Sequence, residues 1–242
     1  MSLDIRLDGL TVGYGPRRRT DPVLARTELD FTAGSFTALL GPSGCGKSTV
    51  LNAVAGFVRP TAGRVLVGPR PVTGPGPDRG MVFQHYALFP WLTARGNVEF
   101  ALKHLGLPRA ERRRRALAAL AEVELADGAE KYPAQLSGGM QQRVALARAL
   151  AAEPEVLLMD EPFGALDAIT RARMQDLLTR LRRRTGTTVL FVTHDLDEAL
   201  ALAERVVVLG GRPGRVLADH VVPAGRDDPG LRELIARRLS HD

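Results

Sequence analysis

Apolar and polar residues alternate from Ile5 to Val12 as in a strand, and the segment from Val23 to Phe31 reads as another. Phe36 to Leu40, apolar except for Thr37, reads as a buried strand. A helix is expected to follow over Ser48 to Ala55. Gly and Pro crowd Gly68 to Gly80, so a loop is expected there, leading into a short strand at Met81-Val82-Phe83-Gln84. From Ala94 to Ala152 the apolar period lengthens to that of helices, with breaks near Gly106-Leu107-Pro108 and at Tyr132-Pro133. Within this stretch Leu117, Leu120 and Ala121 are expected to form the apolar side of one helix.

The last third alternates strand and helix: strands at Val156 to Met159, Thr188 to Val192 and Val206 to Leu209, helices at Ala168 to Arg184 and Leu196 to Ala203. Beyond Leu209 there is room for two short strands and a terminal helix. Such alternation predicts a parallel α/β sheet, and the inserted helical stretch predicts a second lobe.

A chain of 242 residues that is 45% hydrophobic can bury a full core, as one large domain or two closely joined lobes. No window approaches the length of uncharged apolar chain that crosses a bilayer, and Met-Ser-Leu-Asp-Ile-Arg-Leu-Asp lacks the apolar run of a signal sequence. We therefore expect a protein that stays in the cytoplasm. The single Cys45 excludes an intramolecular disulfide and gives no thiolate metal cluster. A net charge of +6 suits nucleic acid, an anionic membrane surface or simply an arginine-rich proteome, and charge alone does not choose among them. Few aromatics accompany the basic residues, which argues against a platform for stacking bases, and the run Arg112 to Arg115 reads as a solvated helix face.

Candidate chemistry begins at Gly41-Pro42-Ser43-Gly44-Cys45-Gly46-Lys47-Ser48-Thr49, between the expected buried strand and helix. This is a P-loop. Its glycines allow successive backbone N–H groups to point inward, the helix N-terminus adds positive potential for β- and γ-phosphates, Lys47 adds a full charge, and Ser48 offers a hydroxyl to Mg²⁺. Only Lys47, Lys103 and Lys131 are lysines among 33 basic residues, and a compact ammonium suits a tight phosphate nest where a wide guanidinium does not. Val156-Leu157-Leu158-Met159-Asp160-Glu161 sets two carboxylates at the C-terminal end of a buried strand, Asp160 placed for a Mg²⁺ shell and Glu161 for polarising a water that attacks the γ-phosphate. Leu136-Ser137-Gly138-Gly139-Met140 opens a helix in which Ser137 can act as N-cap and the glycines permit close approach of a phosphate.

In this order the motifs resemble those of ATP-binding cassette ATPases, with Ser137-Gly138-Gly139 as the signature motif. The resemblance spans about residues 5 to 220. It implies an α/β fold with a P-loop NTPase (RecA-like) core, an antiparallel β subdomain and an inserted α-helical subdomain. One cassette domain is expected over 1–242, with 1–87 and 153–242 as core and β subdomain and about 88–152 as helical subdomain. It also implies that Tyr14 stacks on adenine, that Gln84 senses Mg²⁺ and the attacking water, that Asp167 communicates across a dimer, and that His194 contacts the γ-phosphate. The implied cofactors are ATP and Mg²⁺, with Ser48, Gln84 and Asp160 toward the metal. In this family the P-loop of one copy and the signature motif of another enclose each ATP, so a second copy of the chain is an expected partner. The chain departs from the commonest signature in having Met140 where glutamine is frequent.

Three roles are open to such a cassette: a transporter's ATPase subunit, a soluble ATPase acting on nucleic acid or the ribosome, and a module that no longer hydrolyses. The short span between Gln84 and Ser137 has no room for the long coiled coil of DNA-repair cassettes, translation-type proteins usually carry two cassettes, and Glu161 and His194 are intact. A separate ATPase subunit docking on two transmembrane permease subunits remains, with Tyr86, Leu88, Phe89 and Trp91 as candidates to line a groove for a partner helix. Gly74 to Gly80, Leu88 to Thr93 and Phe163 to Arg171 look like the nitrate/sulfonate/taurine branch of bacterial importers, taurine-type subunits being the most similar. The resemblance implies uptake of a small anion or sulfonate such as taurine, an alkanesulfonate or nitrate. It further implies a peripheral position on the cytoplasmic side of the inner membrane, and a periplasmic or lipid-anchored binding protein as indirect partner. No nucleic-acid partner is expected.

Overall fold

The computed structural model describes residues 2–15, 21–223 and 228–240. The chain divides into two compact units, Met1–Gly76 with Thr187–Asp242, and Pro77–Gly186. The first unit opens with β1 (Ile5–Tyr14), β2 (Asp21–Phe31), β3 (Phe36–Leu40), α1 (Lys47–Ala55), β4 (Ala62–Val67) and β5 (Arg70–Pro71). The second comprises β6 (Arg79–Val82), α2 (Ala94–Ala101), α3 (Arg109–Glu122), α4 (Gly138–Leu150), β7 (Val156–Asp160) and α5 (Ala168–Thr185). The chain then returns to the first unit for β8 (Thr188–Thr193), α6 (Leu196–Leu202), β9 (Arg205–Gly210), β10 (Arg215–Val221) and α7 (Pro229–Ser240).

In the first unit β2, β1, β4 and β5 form an antiparallel sheet in that order. The buried positions of β1 change parity along the strand, from Ile5 and Leu7 to Leu10 and Val12. Gly9, at a φ of 60°, sits where the register to β2 shifts between Leu7 and Leu10. A bulge there restores the later apolar side chains to the core face, which an uninterrupted strand would turn to solvent. β4 and β5 were absent from the expected elements, and β5 lies inside the expected loop Gly68 to Gly80. In β4 only Val65 and Val67 are buried, too short an alternation to stand out beside Gly63 and Arg64.

A second set of strands runs β10-β9-β3-β8, with β3 parallel to both β8 and β9 and β10 antiparallel to β9. Every residue of β3 and β8 is buried, as expected of parallel strands covered on both faces. Phe36 and Phe191 meet at 5.9 Å between ring centres. Leu40 pairs with Thr193, so the segments that follow β3 and β8 leave from the same end of neighbouring strands.

In the second unit β6 and β7 are parallel, with Val82 opposite Met159. The helices pack through Val98, Leu102, Ala116, Leu120, Val144 and Met174, all fully buried. On α3 the buried side is Ala116, Ala119 and Leu120, while Leu117 and Ala121 face solvent. The stripe is therefore rotated by one position from the expected one, because it continues into the buried Val123 beyond the helix. Arg114 and then Arg115 hydrogen-bond Glu111 and hold its carboxyl down to about 2, an exposed ionic cluster of the kind expected of a solvated face. Among the described residues no helix is long and apolar enough to cross a membrane.

Candidate functional site

The P-loop follows β3 in the first unit. A Cβ at Gly41 would lie 2.1 Å from the Leu209 carbonyl oxygen and 2.9 Å from the Cys45 sulfur, so no side chain fits there. Gly44 and Gly46 have φ values of 85° and 93°, which non-glycine residues rarely adopt. Cys45 is buried, and Pro42, Ser43, Gly44 and Ser48 are exposed. Lys47 is only 5% exposed, and its ammonium donates to the Gly41 and Pro42 carbonyls, each at 2.8 Å. These bonds hold the ammonium against the loop backbone and use two of its three donors. Thr49 is buried in the first turn of α1. That helix starts after Gly46, which has no side chain to cap it, so the first-turn N–H groups and the helix dipole favour an anion.

Two further candidates belong to this unit. His194 is exposed immediately beyond β8, at the strand end beside that of the P-loop strand. Its loop is braced from below: the buried Glu198 accepts from the Thr193 hydroxyl at 2.8 Å, and the same hydroxyl accepts from the Asp195 N–H at 3.0 Å. Tyr14 ends β1 with 47% of its surface exposed, opposite Asp21 of β2.

The second unit holds the acids Asp160 and Glu161 and the Ser137-Gly138-Gly139 segment. Because β6 and β7 run parallel and in step, Gln84 and Asp160-Glu161 emerge at one end. The Gln84 amide donates to Glu161 at 3.3 Å. Glu161 has a φ of 42°, a left-handed conformation that costs a non-glycine residue on the order of 1–3 kcal/mol. Asp160, half-buried, is the last residue of β7.

Ser137 caps α4 as expected, accepting from the Met140 N–H at 3.4 Å. Asp167 caps α5 by accepting from the Ile169 and Thr170 N–H groups at 3.1 and 3.0 Å. Hydrogen bonds from Thr170 and then Ile169 hold the Asp167 carboxyl below the usual aspartate range. A Cβ at Gly139 would stand 2.5 Å from the Thr170 methyl, so Gly139 lies tight against the first turn of α5. The Tyr86 hydroxyl is 3.4 Å from the corresponding position on Gly138. Beside these residues is a cavity of about 630 Å³ lined in part by Lys131, Ser137, Gly139, Met140, Arg143 and Thr170.

The segment after Gln84 is held by two side chains that reading the sequence had not singled out. Tyr86 and Ala87 both have positive φ, 58° and 45°, and the Arg148 guanidinium on α4 donates to their carbonyls at 2.9 and 2.6 Å. Burial pushes the Arg148 pKa down, and its guanidinium lies 5.9 Å from the Phe89 ring centre. Asn97, fully buried on α2, accepts from the Phe89 N–H at 2.8 Å and donates toward the Phe89, Leu92 and Thr93 carbonyls. An arginine within the apolar run Val144 to Leu150 was the available signal for Arg148. On this frame Phe89 packs against Trp91 at 5.5 Å and Phe100 at 4.5 Å, with Trp91 70% exposed.

Residues 24–164 match the family described as ABC transporter. An ATP-binding protein of Brucella abortus is 56% identical over 200 residues, spanning 83% of this chain and 76% of its own length. The taurine import ATP-binding protein of Mesorhizobium japonicum is 52% identical over 211 residues, spanning 87% of this chain and 81% of its own. A dimeric ATP-binding cassette, solved in a post-hydrolysis state bound to ADP and Pi, superposes with a TM-score of 0.81 at 36% identity, over 91% of this chain and 99% of that one.

Proposed function

The chain belongs to the ABC transporter family, and we propose that it is the ATP-hydrolysing subunit of an importer for a small sulfonate, taurine foremost. The observation that carries the ATPase reading is the P-loop with Lys47 bonded into its own backbone and an uncapped helix N-terminus behind it. Support for the cargo comes from relatives named for taurine import, which match over most of their own length.

In this reading Tyr14 stacks on the adenine, and the P-loop amides with Lys47 take the charge of the β- and γ-phosphates. Glu161 orients a water and accepts its proton as the water oxygen bonds to the γ-phosphorus and the bond to ADP breaks. Gln84 holds the Glu161 carboxylate in place, and His194 contacts the γ-phosphate. Ser48, Gln84 and Asp160 offer a hydroxyl, an amide oxygen and a carboxylate, the hard oxygen donors that fit Mg²⁺. When bound, that ion neutralises charge on the phosphates. Ser137, Gly138 and Gly139 of a second copy complete the γ-phosphate shell, and Asp167 lies at the start of the helix packed on that motif.

The aromatic cluster around Phe89 and Trp91 gives two permease subunits an apolar hold on the chain, on the cytoplasmic side of the membrane, while a binding protein outside delivers the cargo. Deleting the gene should abolish uptake of labelled taurine and leave sugar uptake intact. Unchanged taurine uptake would contradict this assignment of cargo.

A further inference from the structure

We propose that Arg212 is an additional nucleotide-binding residue, a second cation at the phosphate nest that engages the α- and β-phosphates of a nucleoside di- or triphosphate. The proposal rests on the reading that the P-loop holds ATP.

Arg212 lies in the turn between β9 and β10, far from the loop in sequence. Its Nη2, Cζ and Nε atoms stand 3.0, 3.6 and 3.7 Å from the place a Cβ would occupy on Gly44. The guanidinium therefore lies across the loop at Gly44, where no side chain stands between it and the backbone. Arg212 is exposed, and among the described residues no hydrogen-bond or ion-pair partner takes up its guanidinium donors.

The turn that carries it is pinned on two sides. A Cβ on Gly214 would fall 1.9 Å from the Cys45 carbonyl oxygen, so the turn touches the P-loop backbone directly. Gly214 also donates to the Val23 carbonyl and accepts from the Ala25 N–H, both at 2.8 Å, which ties it to β2. β2 is the strand whose Asp21 pairs with Tyr14. Arg212 is thus held between the strand pair that ends in the proposed adenine contact and the middle of the P-loop, whereas Lys47 is bonded to the start of the loop at Gly41 and Pro42. A ligand joining a base near Tyr14 to a terminal phosphate near Lys47 carries its inner phosphates past Arg212. A planar guanidinium can meet two oxygens of such a phosphate at once.

Calorimetric titration of the full chain with ATP plus Mg²⁺, with ADP, and with adenosine tests this, using wild type, Arg212→Gln and Arg212→Lys. Arg212→Gln should weaken ATP and ADP alike by about tenfold, the worth of a hydrogen bond to a charged group. Adenosine affinity and the ligand-free melting temperature should not move, and Arg212→Lys should recover part of the loss. Unchanged affinities for ATP and ADP in Arg212→Gln overturn the proposal. So does a loss confined to ATP, which would put the guanidinium at the γ-phosphate, and so does an equal loss for adenosine. A wild-type chain that binds no ATP would instead overturn the ATPase reading beneath it.

Discussion

The side-chain amide of Gln84 donates to a Glu161 carboxylate oxygen at 3.3 Å, while the Glu161 backbone is held at a φ of 42° one residue past β7. The two residues lie far apart in sequence and meet because β6 and β7 run parallel, Val82 opposite Met159. A carboxylate on a left-handed residue is aimed by its backbone, and the amide limits where it can point.

Replacing Gln84 by Ala removes that restraint. We expect kcat for ATP to fall by about tenfold, the equivalent of one hydrogen bond to a charged group. Steady-state phosphate release measures it, and an unchanged kcat would separate Gln84 from the alignment of Glu161.

Gly41→Ala sets a methyl group 2.1 Å from the Leu209 carbonyl oxygen, whereas Gly74→Ala meets nothing within 4 Å. The first substitution should destabilise the chain by about 1–3 kcal/mol and abolish ATP binding. The second should leave both unchanged. Urea denaturation of the two variants, with and without nucleotide, compares them directly.

Reading the sequence singled out Gly41 to Thr49, the acids Asp160 and Glu161, and Ser137 to Gly139 because each candidate consists of particular residues at fixed short spacings. Gly41 to Thr49 is one such run: a side chain would clash at Gly41 and strain the backbone at Gly44 and Gly46. Ser137 was legible as a helix cap for the same local reason. The supports were not legible. Gly214 matters because Cys45, in another part of the chain, lies against it, and Arg148 matters because two carbonyls of a left-handed turn face it. The alternation of β1 was read correctly as a strand, yet the change of parity at Gly9 depends on pairing with β2, which no local window contains. The reading of Leu117 as buried failed similarly, since the packing of α3 continues through Val123 after the helix ends.

Asp167 gives a pH dependence of definite sign. Its pKa is lower in the folded chain than in the unfolded one, through bonds from Thr170 and Ile169. Its contribution is therefore present above the unfolded aspartate value of about 3.9 and is lost as pH falls through the folded value. Asp167→Asn keeps a capping oxygen without the charge. Between about pH 5 and about pH 3 the melting temperature of wild type should fall more steeply than that of the variant. Parallel slopes would contradict this.

Trp91 is the only tryptophan of the chain and is 70% exposed beside Phe89. Trp91→Glu puts a charge on the proposed docking surface. Co-purification with a coexpressed permease should be lost while ATP affinity is kept. Retained co-purification would move the docking site elsewhere.

The most direct test of the account is phosphate release from ATP and Mg²⁺ by wild type and Glu161→Gln, at matched ATP occupancy. Glutamine keeps the shape and the Gln84 contact but cannot take the proton. We predict that Glu161→Gln binds ATP as wild type does, accumulates as a closed dimer on size exclusion, and releases phosphate some 10²- to 10⁴-fold more slowly. Phosphate release at the wild-type rate by Glu161→Gln would contradict the assignment of Glu161 as the base, and with it the chemistry proposed for this site.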